Sequence, residues 1–438
     1  MKEIFHCVIR TLSPVHIGCG EVYEPTGFVV DEQKKELVVF DPFQFIAGLP
    51  DTEKDRLIQI CQKGNIASIL EVFKFFKNRQ AIGNRVALSE GFMKHYGQTL
   101  SMSTGNPRQI QQELNRFSIN RTSFLPGYEA PFLPGSSVKG SLRTAFLNLR
   151  QKESPVTPDS RDRTSIKLEE KLLKYRSLNE DPFRLVKVSD FMPIGETNRK
   201  VMYAVDIKKK PGQVPGAYQI VEAIMPGALF WGSIQVDAAL SGSGITKPVK
   251  LLELTKSAWN FYGGEKKREN RELLNAGCPA FNRGDDGAIP LRVGRHSGAE
   301  CVTIEGHRSI WIMNLKKTLD HATTFWLASD TKRPETTDGL LPFGWVELVI
   351  ISENDFNRYR NTPLSMPAPV ITEPVDSADS NVPEENPQPS AIVETQEHWP
   401  TASLTWKPGN NTLEASFNNR KAIATGKNLV PEAFHKKL

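Results

Sequence analysis

The chain has 438 residues, enough for two domains of ordinary size, and 39% hydrophobic with 24% charged residues is the balance of a water-soluble globular protein. No run of eighteen apolar residues occurs, which excludes a transmembrane helix, and Met1–Arg10 lacks a signal-peptide apolar core, so a cytoplasmic protein without a membrane partner is expected. The formal charge of +5 is the balance of −7 over residues 361–398, +4 over 399–438 and +8 over 1–360, a basic body suited to a polyanion, and five scattered cysteines without a CxxC pair exclude a zinc knuckle or disulfide framework.

Ile4–Leu12 reads as a strand and leads into the turn Ser13-Pro14-Val15-His16-Ile17-Gly18-Cys19-Gly20. Gly27–Asp31 and Glu36–Phe40 form a strand pair about the polar Gln33-Lys34-Lys35 turn. Asp41-Pro42 is an N-cap with proline in the first turn, and residues 51–80 carry Leu57, Ile58, Ile66, Ile69, Leu70, Phe73 and Phe76 at helical spacing. The glycine segment Leu133–Gly140 precedes a helix over Ser141–Arg150. From Pro182 onward, strands are predicted at Arg184–Val188, Lys200–Ile207, Tyr218–Met225 and Leu229–Val236, with Met225-Pro226-Gly227 joining the last two as a hairpin. A charged helix over Lys250–Leu274 follows, then the glycine-rich Leu291–Gly298, and Phe325–Ala328 and Trp345–Ile351 close the sheet.

Strands mixed with helices, without βαβ alternation, predict an α+β protein with two antiparallel sheets. Asn361–His398 holds seven prolines and no lysine or arginine, and cannot bury enough apolar surface to offset its ordering entropy; it reads as a disordered linker. Beyond it, Ala402–Trp406 and Thr412–Phe417 predict a small basic hairpin. The expected organisation is a first domain over 1–181, a second over 182–360, the linker over 361–398 and a β-rich tail over 399–438.

Three glycine segments carry the chemistry. In Pro134–Arg143, glycines Gly135 and Gly140 free backbone amides at a helix start, Ser136 and Ser137 add hydroxyls, and Lys139 and Arg143 lie four apart, spaced to bracket a sugar–phosphate backbone. It is not a Walker loop, since GxxxxGK[ST] is absent. In Pro14–Gly20, Gly18 and Gly20 flank a path for a nucleic-acid backbone, and His16 is placed to stack on a base or donate to phosphate; an ordinary structural histidine would look the same. In Arg292–Gly298, Arg292 and Arg295 can fork onto phosphates beside His296, with Arg283 and the Gly284–Gly287 turn as neighbours. Arg116–Arg121 interleaves basic and aromatic residues as a stacking platform would, and Lys208-Lys209-Lys210 reads as a hairpin tip. No HExxH, GxSxG or strand-borne GxGxxG occurs, and no catalytic residue, metal ligand or cofactor site is assigned.

Arg10–Gly18 followed by Phe132–Arg143 resembles the RAMP superfamily of CRISPR-associated proteins. Together with Phe183–Asp190, Leu291–Thr303 and Leu341–Val346, the pattern is similar to the fifth Csm-type subunit of type III-A effector complexes, over residues 2 to about 351. The resemblance implies two ferredoxin-like (RRM-type) modules with helical insertions. It implies a non-catalytic subunit that binds CRISPR guide RNA, caps the guide's 3′ portion, and assists its maturation and complex assembly. Implied partners are the guide RNA, backbone RAMP subunits, the small subunit and target RNA. Two other readings stay open: a metal-independent endoribonuclease using His16 with Lys139 or Arg143, and a protein-interaction scaffold without RNA contact.

Overall fold

The computed structural model describes residues 2–77, 79–157, 165–212, 216–285, 287–363, 403–407, 412–417 and 420–425. Glu3–Thr11 (β1) and Gly18–Val22 (β2) flank the first glycine turn, and Phe28–Asp31 (β3) and Glu36–Val39 (β4) form the expected hairpin. Asp41 caps Pro42–Ala47 (α1), its carboxylate accepting the Gln44 N–H at 2.9 Å. Asp51–Gln62 (α2) and Ile66–Phe76 (α3) follow, then Asn84–Leu88 (β5). Two helices that apolar spacing did not reveal come next, Glu90–Leu100 (α4) and Pro107–Arg116 (α5), capped by Ser89 and Asn106. The chain continues through Ile119–Thr122 (β6), the short hairpin Phe124–Leu125 (β7) and Ala130–Pro131 (β8), Gly135–Glu153 (α6) and Ser165–Leu173 (α7). Val186–Val188 (β9), Met192–Pro193 (β10), Arg199–Lys208 (β11), Tyr218–Ile224 (β12), Leu229–Val236 (β13) and Leu251–Asn275 (α8) lead to the third glycine segment. Ile289–Arg292 (β14), Ile310–Ile312 (β15), Lys317–Leu319 (β16), Thr324–Ser329 (β17), Leu341–Pro342 (β18), Trp345–Ile351 (β19) and Glu353–Asn361 (α9) complete this part.

The protein is α+β. One sheet runs β10-β13-β1-β19-β14, with β9 also on β13, and all its pairs are antiparallel. The other runs β2-β6-β12-β11-β5-β4-β3, with β17 on β11 and β18 on β17. Its pairs β5–β11 and β6–β12 are parallel, which departs from the two purely antiparallel sheets expected. Central β1 buries Cys7 and Ile9 and places Arg10 opposite Glu347 of β19, a cross-strand ion pair. Fully buried Ile9, Phe230, Ile234 and Leu348 pack in this core, each side chain contributing on the order of 1.5–3 kcal/mol. Helices α6 and α8 lie side by side, joined where Tyr262 Oη donates to Ser141 O at 3.0 Å.

Two expectations change. The Met225-Pro226-Gly227 turn does not close a hairpin; it carries the chain from one sheet to the other, because β12 pairs with β11 and β6 while β13 pairs with β1. Thr11 fixes the crossing: its hydroxyl donates to Met225 O at 2.8 Å and accepts the Ala228 N–H at 2.9 Å. Strands from 1–181 and from 182–360 share both sheets, so that boundary does not separate two sheets, and Met1–Thr372 is one compact unit. A second unit, Glu373–Leu438, holds Ser403–Lys407 (β20), Thr412–Phe417 (β21) and Arg420–Thr425 (β22). These form a three-stranded antiparallel sheet where two strands were expected. The linker reading over 361–398 lies outside the described residues from 364 onward.

Candidate nucleic-acid interface

The three glycine segments meet through backbone hydrogen bonds. Arg295 N–H donates to His16 O and Gly344 N–H to Pro14 O, both at 2.8 Å, while Val293 N–H donates to Gly344 O at 2.9 Å. A Cβ at Gly294 would lie 2.4 Å from His16 O, so glycine is required for this approach. Val15 and Ile224 exchange N–H···O bonds, Ser123 N–H donates to Ile17 O at 2.7 Å, and Ser123 Oγ reaches Phe132 O at 2.7 Å, beside the start of α6. Ser141 Oγ donates to Arg292 O at 2.5 Å, tying α6 to the third segment. The segments therefore form one cluster.

Within it, the candidate residues divide sharply. Gly18, Gly20, Ser136, Gly140 and Arg295 are exposed, and Ser137, Lys139 and His296 are half-buried. Neither Lys139 nor Arg295 has an ion-pair partner among the described residues. Burial, with Arg143 adding repulsion, lowers the Lys139 pKa below the ordinary lysine value. Exposed Arg283 sits beside the first segment, its guanidinium donating to Leu12 O at 3.3 Å.

Gly135, Arg143, Arg292 and His16 are placed otherwise than the phosphate reading required. Helix α6 starts at Gly135 rather than Ser141, and Gly135 is buried: a Cβ there would stand 2.4 Å from Val188 O. Its N–H donates to Asp190 Oδ1 at 2.7 Å, and the Ser137 and Val138 amides both reach Pro134 O, so these helix-start donors are already used. Arg143 is held by Glu169 at 2.5 Å and Asp181 at 3.0 Å, over the Phe183 ring. Arg292 is 1% exposed in its side chain, pairs with Glu269 at 2.5 Å and lies over Trp345, whose Nε1–H donates to the same carboxylate at 2.6 Å. His16 is fully buried, so it does not stack on a base from the surface.

Of two weaker readings, one is corrected and one holds. Phe117 is buried, and Arg121 is sandwiched between the Tyr23 and Phe124 rings and paired with Glu129, so Arg116–Arg121 is no open stacking platform. Lys208-Lys209-Lys210 lies where β11 turns toward its antiparallel partner β12, the hairpin position expected, with Lys209 tied down by Glu272 at 2.7 Å and Glu300 at 2.8 Å.

The two histidines lie together, ring centroids 6.3 Å apart and planes at 25°. His16 Nδ1 donates to Glu222 O at 2.8 Å. His296, with φ +63°, packs against Trp326 and Phe343. Burial lowers the pKa of each to about 4; the Arg295 charge works in the same direction, and for His296 so does His16. Both are neutral at pH 7. Glu222 anchors this corner, its buried carboxylate accepting from Arg199 at 2.8 Å and from the Thr122 N–H at 3.1 Å. Neither Glu222 nor Arg199 entered the sequence reading. The available signal was a lone acid in the apolar strand Ile220-Val221-Glu222-Ala223-Ile224, which demands a buried partner.

A family model described as the RAMP superfamily matches residues 8–337, a span that includes all three glycine segments. The chain belongs to the RAMP superfamily. This RAMP protein is similar to the CRISPR system Cms protein Csm5 of Methanocaldococcus jannaschii, 26% identical over 189 residues, or 41% of this chain and 40% of that protein. It is also similar to Csm5 of Enterococcus italicus, 21% identical over 226 residues, or 49% of this chain and 55% of that protein. The matches thus span only 40% and 55% of these relatives' lengths. A chain in the cryo-EM structure of a Csm-crRNA-target RNA ternary complex of a type III-A CRISPR-Cas system superposes with a TM-score of 0.53. That match has 19% identity and covers 79% of this RAMP chain and 100% of the other; it is a likeness of fold.

Proposed function

We propose that this RAMP protein is a non-catalytic guide-RNA-binding subunit of a type III, Csm-type effector complex. In this reading it caps the 3′ region of the CRISPR guide and assists its maturation. Its neighbours are backbone RAMP subunits and the small subunit, and target RNA passes nearby. The two sheets serve as two RRM-type modules built from interleaved strands.

The observation that carries the reading is the gathering of three glycine segments into one cluster, with Arg295 and Lys139 lacking ion-pair partners among the described residues. The revised RNA-binding set is Gly18, Gly20, Ser136, Ser137, Lys139, Gly140, Arg295 and His296, with Arg283 added. Arg143 and Arg292 act on RNA indirectly, by holding α6 and the third segment in place. Guide spacers vary in sequence, and cationic contacts to phosphate suit a partner recognised by its backbone. Of the two roles the ribonuclease reading gives His16, the acid is disfavoured, because a neutral His16 with its proton on Nδ1 has none on Nε2 to give a leaving group.

The test is Lys139→Glu combined with Arg295→Glu, assayed for binding to guide RNA across a salt series. Affinity is expected to fall at least tenfold and the logarithmic salt slope to shrink by about 2, with the unfolding midpoint unchanged. Unaltered affinity and slope in a folded double variant would refute RNA contact at this cluster.

A further inference from the structure

Beside Arg295 lies an acceptor that no described residue satisfies. His16 is fully buried and its Nδ1 stands 2.8 Å from Glu222 O. A carbonyl oxygen can only accept, so Nδ1 carries the proton and Nε2 keeps a bare lone pair. Nε2 of His16 has no hydrogen-bond partner among the described residues. Buried polar atoms are rarely left in that state, and an unmatched one marks a place where a ligand completes the bond. The atom faces Gly18: a Cβ built on that glycine would lie 3.6 Å from His16 Nε2, 3.1 Å from Arg295 Cδ and 3.7 Å from Arg295 Nη1. With no side chain at Gly18, the space beside the imidazole edge is bordered by Arg295, an exposed arginine with no ion-pair partner among the described residues to hold it there. A guanidinium and an unpaired imidazole acceptor thus border one small space.

A phosphate cannot satisfy this imidazole, since both would be acceptors, and burial together with the Arg295 charge keeps the ring from taking up a proton to become a donor. What fits is a neutral donor within reach of a phosphate. In a nucleotide that donor is a ribose 2′-hydroxyl or an exocyclic base amine. The hydroxyl is favoured, because it stands beside a phosphate at every position whatever the base. We propose that His16 Nε2 accepts a hydrogen bond from a ribose 2′-hydroxyl while Arg295 turns outward onto the adjoining phosphate, so that this corner distinguishes RNA from DNA. The proposal rests on the RNA-binding reading above and names the group that reading leaves unspecified.

The test uses the full-length chain and short single strands of oligouridine, which has no exocyclic amine. Wild-type protein is expected to bind the ribo form about tenfold more tightly than the 2′-deoxy and 2′-fluoro forms, neither of which can donate at that position. His16→Phe should erase that ratio, whereas Arg295→Ala should weaken ribo and deoxy strands alike and preserve it. If His16→Phe does not fold, selective ¹⁵N-histidine labelling replaces it: the unprotonated His16 Nε2 resonance of the wild type should move on adding ribo-oligouridine and stay put with the deoxy strand. Equal binding of all forms overturns the proposal and leaves RNA binding standing. Discrimination that persists in a folded His16→Phe variant also overturns it. Discrimination between deoxyadenosine and deoxyuridine strands that disappears in His16→Phe would assign the acceptor to a base amine instead. Failure to bind any strand would refute the RNA-binding reading itself.

Discussion

Protonating His16 or His296 is opposed by the fold. Burial is the main cause for both; Arg295 faces the pair, and the nearby Glu222 carboxylate is already engaged by Arg199. Each folded pKa, about 4, lies below the unfolded value near 6.5, so the unfolded chain binds more protons between those limits. The stability held by neutral imidazoles is therefore complete above pH 6.5 and drains away as the pH falls toward 4. Urea unfolding at pH 5 is expected to show His16 alone costing on the order of 2 kcal/mol relative to pH 7, with His16→Phe flattening that part of the profile. Glu300 does not confuse this window. Burial would raise its pKa, but Lys209 and Arg268 hold it at about 2, so its contribution is lost only at lower pH. The sequence announced both histidines as candidates but not their burial, because what covers His16 comes from the third glycine segment and from β12, 200 residues and more away in the chain. Arg292 and Arg295 teach the same lesson. Three residues apart, one is buried against Glu269 and Trp345 while the other lies in solvent, and only the path of α8 decides which.

Helix α6 shows why glycine misleads at the level of an element. Gly135 and Gly140 in Leu133–Gly140 read as a loop, yet both are helical. Gly135 is there for contact, since its α-carbon packs against the carbonyls of Val188 and Ser189, and a Cβ would come within 2.6 Å of both oxygens. Nothing lies within 4 Å of a Cβ at Gly140. The same substitution should therefore have opposite signs at the two sites. Gly135→Ala is expected to destabilise the protein by about 1–3 kcal/mol through overpacking against β9. Gly140→Ala should stabilise it by about 0.5–1 kcal/mol, because alanine costs less entropy in an exposed helix. Chemical denaturation of the two variants checks this, and equal shifts of the same sign would contradict the packing assigned to Gly135. Strand β13 was legible because half-burial sets a period of two, and β1 and β11 because they carry continuous buried apolar runs. Which sheet each strand joins was not legible. The hydroxyl of Thr11, more than 200 residues from Met225, directs β13 away from β12, and no local pattern encodes that bond.

At the scale of the whole chain, composition was informative where folding is local and silent where it is not. The change from a basic body to an acidic proline-rich stretch is visible at residue 361, since charge and proline content act without partners, and the two compact units divide at Thr372. The interleaving inside the larger unit was hidden, because its central β1 pairs with β19 nearly the full length of that unit away. The two units make separate predictions. Among the described residues, strands β20, β21 and β22 pair only with one another, so ending the chain at Thr372 removes no described strand from either large sheet. The unfolding midpoint and urea dependence of the shortened protein are expected to match those of the larger unit in the intact chain. Electrostatics should change even where stability does not. Loss of residues 373–438 raises the formal charge from +5 to +8, so the remaining body attracts a polyanion more strongly. RNA binding at low ionic strength is expected to tighten on truncation, and the gain should vanish at about 0.5 M salt, where screening is nearly complete over a few ångströms. Weaker binding at every salt concentration would instead place a direct RNA contact in the removed segment, whose last forty residues carry +4.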